Sequence, residues 1–220
     1  MTTMAIVGAG RGLGLAAARR FGKEGHAVAL IARNKSKLDS LVSTLRSEGV
    51  TAEGFTADVR DQSSLEASIG QAAEQLGPIE VLQYSPVPAK EFMRPALDTA
   101  ADDLVGPVQL SIYGPVTASR AVIPGMQSLG RGTILFINGA SAVRPRGAVT
   151  GTSVAFAGES AYAQVLHEAL ATGGIHVAQL IIPLGIGGGD PDHEPAALAD
   201  RLWRIHSERD EFRTFVKPLD

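Results

Sequence analysis

Residues 4–14, MAIVGAGRGLG, run four apolar side chains directly into a turn that contains Gly8, Gly10, Gly12 and Gly14. A short buried strand, a glycine turn and an amphipathic stretch are typical of the first unit of a nucleotide-binding parallel sheet. Glycine suits such a turn because a side chain would keep the backbone away from a pyrophosphate and from the amides that begin the next helix. The chain holds 25 glycines. An ordinary strand-to-helix turn is therefore the alternative, and the flanking strand and helix favour the nucleotide site.

The composition is that of an ordinary globular domain, with 220 residues, 45% apolar and 20% charged. A net charge of −3 gives no reason to expect nucleic acid or an anionic membrane as a partner. The absence of cysteine excludes disulfides, thiolate catalysis and cysteine-based metal sites, and no metal site is predicted. The beginning of the chain lacks the pattern of a signal peptide, and no apolar stretch is long enough to span a bilayer, so a cytoplasmic location is expected.

Strand-like and helix-like segments alternate along the chain. Strands are predicted at residues 4–7, 26–32, 51–57, 79–84, 132–138 and 175–182, with an edge strand at 212–216. Helices are predicted at residues 13–24, 35–48, 63–76, 154–171 and 195–208, with a kinked or broken helix around 106–115. This alternation predicts one doubly wound α/β domain over residues 1–220, in which residues 184–220 add a short substrate-side loop, a helix and the edge strand.

Two helices carry more specific expectations. Asn34 or Ser36 is predicted to cap the second helix, and Ser63 or Ser64 the third. The helix at residues 154–171 is rich in alanine and glycine. Its small side chains permit close packing, either on another subunit or on the sheet of the same chain.

Ligands in doubly wound sheets bind beyond the carboxyl ends of the strands. That rule alone selects a set of positions in this sequence: residues 8–14, Arg33, Asp58, residues 84–86, residues 138–141 and residues 183–189.

Taken together, these segments resemble the short-chain dehydrogenase/reductase family over nearly the whole chain. The matching motifs are GAGRGLG at residues 8–14, DV at 58–59, GTILF at 132–136, GIHV at 174–177 and PLG at 183–185. The resemblance implies a Rossmann-type domain that binds a nicotinamide dinucleotide and acts on a small molecule. It also implies a homodimer or a homotetramer.

The residues after the second strand bear on the choice of cofactor. A site for NAD needs a carboxylate there to accept from the ribose 2′-hydroxyl, whereas a site for NADP favours arginine. Here Arg33 follows the strand and Arg11 lies in the glycine turn. We expect both guanidinium groups to flank the 2′-phosphate, with Asn34 as a further donor, so NADP(H) is predicted rather than NAD(H). The predicted cofactor-binding residues are Gly8, Gly10, Arg11, Gly12, Leu13, Gly14, Arg33, Asn34, Asp58, Val59, Ser85 and Pro183.

The catalytic half of the resemblance is incomplete. The family uses a tyrosine with a lysine four residues later, and Phe156 and Ser160 stand at those positions here. No lysine occurs between Lys90 and Lys217, so no shift of the alignment restores the pair. The family's asparagine on the earlier helix corresponds to Ser111, and its serine to Ser141.

Three functions follow as hypotheses. The first is an NADP-dependent oxidoreductase with a non-standard catalytic site, using Ser141 and, as the proton donor best placed by topology, Tyr84, with Tyr113 as the next choice. The second is an NADP-binding sensor or partner subunit without redox turnover. The third is a fold reused for other small-molecule chemistry, in which Ser153 and His193 would join Ser141 and Tyr84 around a pocket.

Overall fold

The parallel sheet predicted from the sequence is present. In the computed structural model, which describes residues 1–219, the strands are β1 Thr3–Val7, β2 Ala27–Ala32, β3 Ala52–Thr56, β4 Ile79–Tyr84, β5 Gly132–Gly139, β6 Ile175–Ile182 and β7 Arg213–Phe215. They form one seven-stranded sheet in the order β3-β2-β1-β4-β5-β6-β7, and every neighbouring pair is parallel. The single doubly wound α/β domain of the Rossmann type is confirmed.

Helices cover both faces of this sheet. They are α1 Leu13–Lys23, α2 Lys35–Ser47, α3 Gln62–Leu76, α4 Val105–Val108, α5 Gly114–Leu129, α6 Thr150–Leu170 and α7 Pro195–Glu208. A π-helical turn at Gln109–Tyr113 joins α4 to α5, which agrees with the broken helix predicted there. Among the helices of residues 1–219, none combines the length and the apolarity that a bilayer crossing requires.

The core consists of two layers, one on each face of the sheet. Along β1, Met4 and Ile6 pack into one buried cluster, and Ala5 and Val7 pack into the other. Side chains of a strand alternate between faces, so a strand covered on both sides must be apolar throughout. This is the reason that the strands are near-continuous apolar runs in the sequence.

Several predicted boundaries and caps need correction. Asp61, not Ser63 or Ser64, caps α3, because its carboxylate accepts a hydrogen bond from the Ser64 amide at 3.1 Å. Asn34 caps α2 as expected, accepting from the Lys37 amide at 2.9 Å. The start of α6 lies at Thr150, four residues before the predicted one. The strand ends differ from the predicted ones by a residue at several places.

The small residues of α6 pack within the chain. Ala155 and Ala163 are buried, and a Cβ added to Gly158 would lie 2.3 Å from Cδ1 of Ile112 in the π-helical turn. Of the two interpretations of this helix, the close approach to Ile112 supports packing on the same chain.

Candidate active site

The glycines of the first turn have different roles. Gly8 has a φ of +88°, and a Cβ there would lie 2.6 Å from the backbone nitrogen of Pro86. A side chain at this position is therefore excluded by the chain itself. By contrast, Gly10 and Gly12 have no atom within 4 Å of an added Cβ. Both line a cavity beyond the carboxyl ends of β1, β4, β5 and β6, called the main cavity below. The open side of the turn is the side on which a ligand can approach the backbone.

No side chain caps the N-terminus of α1, so its first amides are available to such a ligand. Gly12 is the N-cap and provides no side-chain hydrogen bond, and the first turn contains no acidic residue. The first amides of a helix have no partner within it, and they attract anions. Uncapped amides beside two open glycines fit the pyrophosphate of a dinucleotide.

A second groove continues from this turn along the carboxyl ends of β2 and β3. It has a volume of about 790 Å³, and its lining includes Arg11, Arg33, Asn34, Lys37, Asp58, Val59 and Arg60. Within residues 1–219, Arg11, Arg33 and Lys37 have no carboxylate partner. The lining also contains Glu91, so the four basic side chains of the groove outnumber its two acidic ones and its net charge is positive.

Asp58 does not cancel that charge, because it is already paired. Its carboxylate accepts from the Arg60 amide at 3.0 Å, and the Arg60 guanidinium lies 3.2 Å away. Burial raises the pKa of Asp58, but the hydrogen bonds from Arg60 outweigh burial and hold the pKa below its ordinary value. Asn34 is also partly committed, since its Oδ1 caps α2 and only its amide nitrogen remains as a donor for a ligand.

The main cavity lies beyond the carboxyl ends of β1, β4, β5 and β6 and has a volume of about 540 Å³. Its polar side includes Ser85, Asn138 and Ser141, and Leu13 and Pro183 also line it. Its apolar wall consists of Val87, Pro88, Met93, Ile137, Val149, Phe156, Ile182, Leu184 and Ile186. Among the described residues, Arg146 is the only charged side chain in this lining. The cavity suits a small apolar molecule next to the glycine turn.

Ser141 and Tyr84, the two predicted catalytic residues, are not brought together. Ser141 lies in the 3-10 turn after β5 and lines the cavity. Tyr84 is 1% exposed and is absent from the cavity wall, because its hydroxyl donates to the Leu110 carbonyl in the core. Burial and the nearby Glu159 raise the pKa of Tyr84 well above its ordinary value. The geometry corrects the expectation for Tyr84, whose hydroxyl has a structural partner instead of a substrate.

Two residues of the third hypothesis are also placed elsewhere. Ser153 is bound to the backbone of Arg146, accepting from its nitrogen at 2.9 Å and donating to its oxygen at 3.1 Å. His193 is fully buried, and its Nδ1 lies 3.3 Å from the Asp190 carboxylate. Neither side chain lines the main cavity.

Glu159, on α6, is the most unusual ionisable group near the site. It is 2% exposed, and burial raises its pKa to about 8, while hydrogen bonds with the side chains of Asn138 and Ser111 lower it. A carboxyl with this pKa is mostly protonated at neutral pH. The structure thus buries an acid next to the Asn138 side chain.

Comparison with known proteins identifies the family. The sequence profile described as short chain dehydrogenase matches residues 2–186. The chain belongs to this family. The fold is nearly that of a short-chain dehydrogenase from Rhodopseudomonas palustris, with a TM-score of 0.87, 25% sequence identity and 99% of each chain covered. L-Sorbose reductase from Gluconobacter frateurii, solved with NADPH and L-sorbose, has the same fold, with a TM-score of 0.84 at 21% identity over 99% of this chain and 98% of that one.

Sequence similarity to some family members covers only part of the chain. A segment of 77 residues is 39% identical to 2,3-dihydro-2,3-dihydroxybenzoate dehydrogenase from Bacillus subtilis (strain 168). That segment is 35% of this chain and 30% of the length of that dehydrogenase.

Phe156 and Ser160, which the sequence predicts to stand at the family's tyrosine and lysine positions, have separate environments. Phe156 lines the main cavity. Ser160, one helical turn further along α6, is 5% exposed and is absent from that lining. Its hydroxyl instead donates to Gln179 Oε1 at 3.0 Å and accepts from Arg213 at 2.9 Å.

Sequence reasoning missed several residues of the site. Lys37 and Arg60 line the groove, and their charge and closeness to Asn34 and Asp58 in the sequence were available signals. Asn138 lay inside the predicted ligand-binding segment 138–141 without being chosen. Glu159, which is buried next to Asn138, had no signal, because its burial depends on contacts between distant elements.

Proposed function

We propose that this protein is an NADP(H)-dependent oxidoreductase that reduces a carbonyl group on a small apolar molecule. The observation that supports the choice of cofactor is the net positive charge that Arg11, Arg33 and Lys37 give to the groove at the end of β2. A 2′-phosphate is the group that distinguishes NADP from NAD, and guanidinium groups are its preferred partners.

The residues divide between holding the cofactor and holding the substrate. Gly10, Gly12 and the amides that begin α1 would hold the pyrophosphate, and Asp58 and Val59 would contact the adenine. Ser85 and Pro183 would line the nicotinamide end. When bound, NADPH supplies a hydride.

On the substrate side, Ser141 would donate a hydrogen bond to the carbonyl oxygen, while Ile137, Phe156 and Ile182 would contact the apolar part of the molecule. No carboxylic acid, histidine, lysine or tyrosine of the described residues lines this cavity. We therefore propose that the site operates without the family's tyrosine–lysine pair and that water supplies the proton.

A second candidate is a protein that binds NADP(H) without turnover. It is favoured by Phe156, which cannot transfer a proton, at the cavity position where the family has tyrosine. For either function we propose a homodimer or homotetramer, in keeping with the family resemblance. Support comes from apolar side chains left exposed on α4, on the π-helical turn and on α6, namely Val105, Tyr113, Val154 and Val165.

Calorimetry with NADPH and NADH tests the cofactor assignment. We expect the wild-type protein to bind NADPH at least about 10-fold more tightly than NADH, and Arg33→Gln to weaken NADPH binding about 10-fold, roughly 1.4 kcal/mol, without changing NADH binding. Lys35→Gln is the matched control, because Lys35 is an exposed neighbour that pairs with Asp39 and does not line the groove. Equal loss for both nucleotides would contradict the assignment.

Turnover separates the two candidate functions. Oxidation of NADPH, followed at 340 nm against a panel of apolar ketones, dicarbonyls and enones, is expected if the protein is an enzyme. Tight NADPH binding without oxidation across the panel would favour the non-redox binder. Failure to bind either nucleotide would contradict both.

A further inference from the structure

The main cavity is apolar except for a few polar groups and a single charge. Arg146, in the segment between β5 and α6, is exposed and lines this cavity. The described part of the chain contributes no carboxylate to the same lining, whose walls include Ile137, Phe156 and Ile182. A charge beside an apolar wall interacts with an entering anion more strongly than it would in open water. An anionic group on a ligand would therefore be drawn to Arg146.

The guanidinium of Arg146 is not used inside the protein. Within residues 1–219 it has no carboxylate partner. Arg94 is different, although its main chain is close by: its carbonyl accepts from the Thr150 amide at 3.0 Å. The Arg94 guanidinium lies 3.4 Å from the Asp103 carboxylate, so its charge is compensated. Of these two cations, Arg146 is the one available to a ligand.

The main chain of Arg146 is held in place by one side chain. The Ser153 hydroxyl, in the first turn of α6, accepts from the Arg146 nitrogen at 2.9 Å and donates to the Arg146 oxygen at 3.1 Å. Ser153 is 3% exposed, and Arg146 is extended, with φ −122° and ψ 123°. Both polar groups of one residue are thus tied to the helix. Less conformational freedom is then lost when the Arg146 side chain binds a ligand.

The anion that fits a single arginine is a carboxylate. Its two oxygens match the planar fork of one guanidinium, and its one negative charge is balanced by one positive charge. A phosphate monoester carries nearly two negative charges at neutral pH. Within residues 1–219, Arg146 is the one basic side chain that lines the cavity, so a phosphate would remain partly uncompensated there.

We propose that Arg146 binds a carboxylate on the substrate, so that the substrate class is a carbonyl compound with an apolar body and one carboxylate group. This inference rests on the proposed reductase function. Ser141 would bind the reacting carbonyl, the apolar wall would contact the body of the molecule, and Arg146 would bind its acidic end. Ser153 is the positioning residue, which acts through the main chain of Arg146.

Matched pairs of substrates test the proposal. Each ω-oxo acid from 5-oxopentanoate to 9-oxononanoate is compared with its own methyl ester at saturating NADPH, so that the series covers a range of spacings between aldehyde and carboxylate. At the best chain length we expect kcat/KM for the acid to exceed that for the ester about 10-fold. Arg146→Gln should remove this preference by lowering the value for the acid alone. Arg146→Lys, which keeps the charge but not the fork, should be intermediate.

Two further variants separate the site from general effects of charge and folding. Arg144→Gln is the matched control, because Arg144 is an exposed arginine of the same segment that does not line the cavity, and the acid-to-ester ratio should stay at its wild-type value. Ser153→Ala releases the main chain of Arg146, so the ratio should fall while kcat/KM for the ester is unchanged. In an Arg146→Gln background, Ser153→Ala should have no additional effect on the ratio.

Calorimetric NADPH affinity and thermal unfolding are measured on every variant. Esters reduced as well as their acids at every chain length, or an unchanged ratio in Arg146→Gln, would overturn the proposal and leave the reductase function intact. So would weaker NADPH binding in Arg146→Gln, which would assign the arginine to the cofactor.

If neither acids nor esters are reduced, the reductase function fails, and calorimetric titration of octanoate and of neutral octanamide into the NADPH-bound protein decides the inference. A preference for octanoate that Arg146→Gln removes would support the carboxylate site. Equal binding of octanoate and octanamide by the wild-type protein would overturn it.

Discussion

Glu159 is a buried acid whose ionisation couples the stability of the fold to pH. Its pKa is about 8 in the folded protein and close to 4.5 when the chain is unfolded. Between these values the folded state binds more protons than the unfolded state, so the free energy of unfolding falls as the pH rises. From this group alone, the protein should be on the order of 3 kcal/mol more stable at pH 5 than at pH 8.

Urea unfolding at pH 5 and pH 8 measures this difference, and Glu159→Gln should remove most of it. The control is Glu168→Gln, an exposed carboxyl on the same helix. A wild-type protein whose pH dependence is unchanged by the Glu159 variant would contradict the assignment. This residue also marks a limit of sequence analysis. Glu159 reads as one more polar residue on a helix, and only the packing of α6 on β5 and on the π-helical turn makes it a buried acid.

At the scale of elements, the start of α5 packs tightly on the end of β4. A Cβ on Gly114 would lie 2.1 Å from the Tyr84 hydroxyl, which is itself held by the Leu110 carbonyl. We expect Gly114→Ala to lower the free energy of unfolding by about 1–3 kcal/mol through overpacking. Tyr84→Phe removes the hydroxyl, so the double variant should be less destabilised than the sum of the two single variants.

A double-mutant cycle by chemical denaturation measures that coupling. Gly125→Ala, on the same helix but with open space around it, should have little effect. Additive effects of Gly114→Ala and Tyr84→Phe would show that the two residues do not interact.

The elements themselves were largely predictable from the sequence, because each has a local signal. Buried parallel strands are apolar runs. Pro107 and Pro115 mark, in the sequence itself, where the helical segment between β4 and β5 is interrupted. The start of α6 was not predictable, since Thr150 and Gly151 resemble loop residues and become helical only when α6 packs on the π-helical turn and on the turn after β5. The cap of α3 was mispredicted because serine and aspartate are both good capping residues, and Asp61, Ser63 and Ser64 all lie where the helix begins.

At the scale of the whole molecule, cofactor and fold should stabilise each other. A ligand that binds only the folded state adds about 2.7 kcal/mol to the free energy of unfolding when its concentration is 100 times its Kd. We expect NADPH to raise the melting temperature more than NADH at equal concentration, and Arg33→Gln to abolish the difference. Identical shifts for both nucleotides in the wild-type protein would contradict this expectation.

The site as a whole was only half predictable. Its cofactor side is built from residues that follow strands directly, so the topology of the sheet locates Gly10, Arg33 and Asp58 from the sequence. Behind its proposed substrate side, Asn138 accepts a hydrogen bond from Gln179, which in turn accepts one from Arg213, and residues 138, 179 and 213 share no pattern along the chain. That part required the register of three strands, which no local signal encodes.

The contact between Gly8 and Pro86 has a practical consequence for redesign. The main chain of the first turn packs directly on the main chain of residues 85 and 86, where the segment between β4 and α4 begins. The glycine turn and this segment therefore cannot move independently. Attempts to graft a foreign segment here to change selectivity must retain the path of residues 85 and 86. A graft that changes the path of these two residues would also distort the glycine turn at residues 8–14.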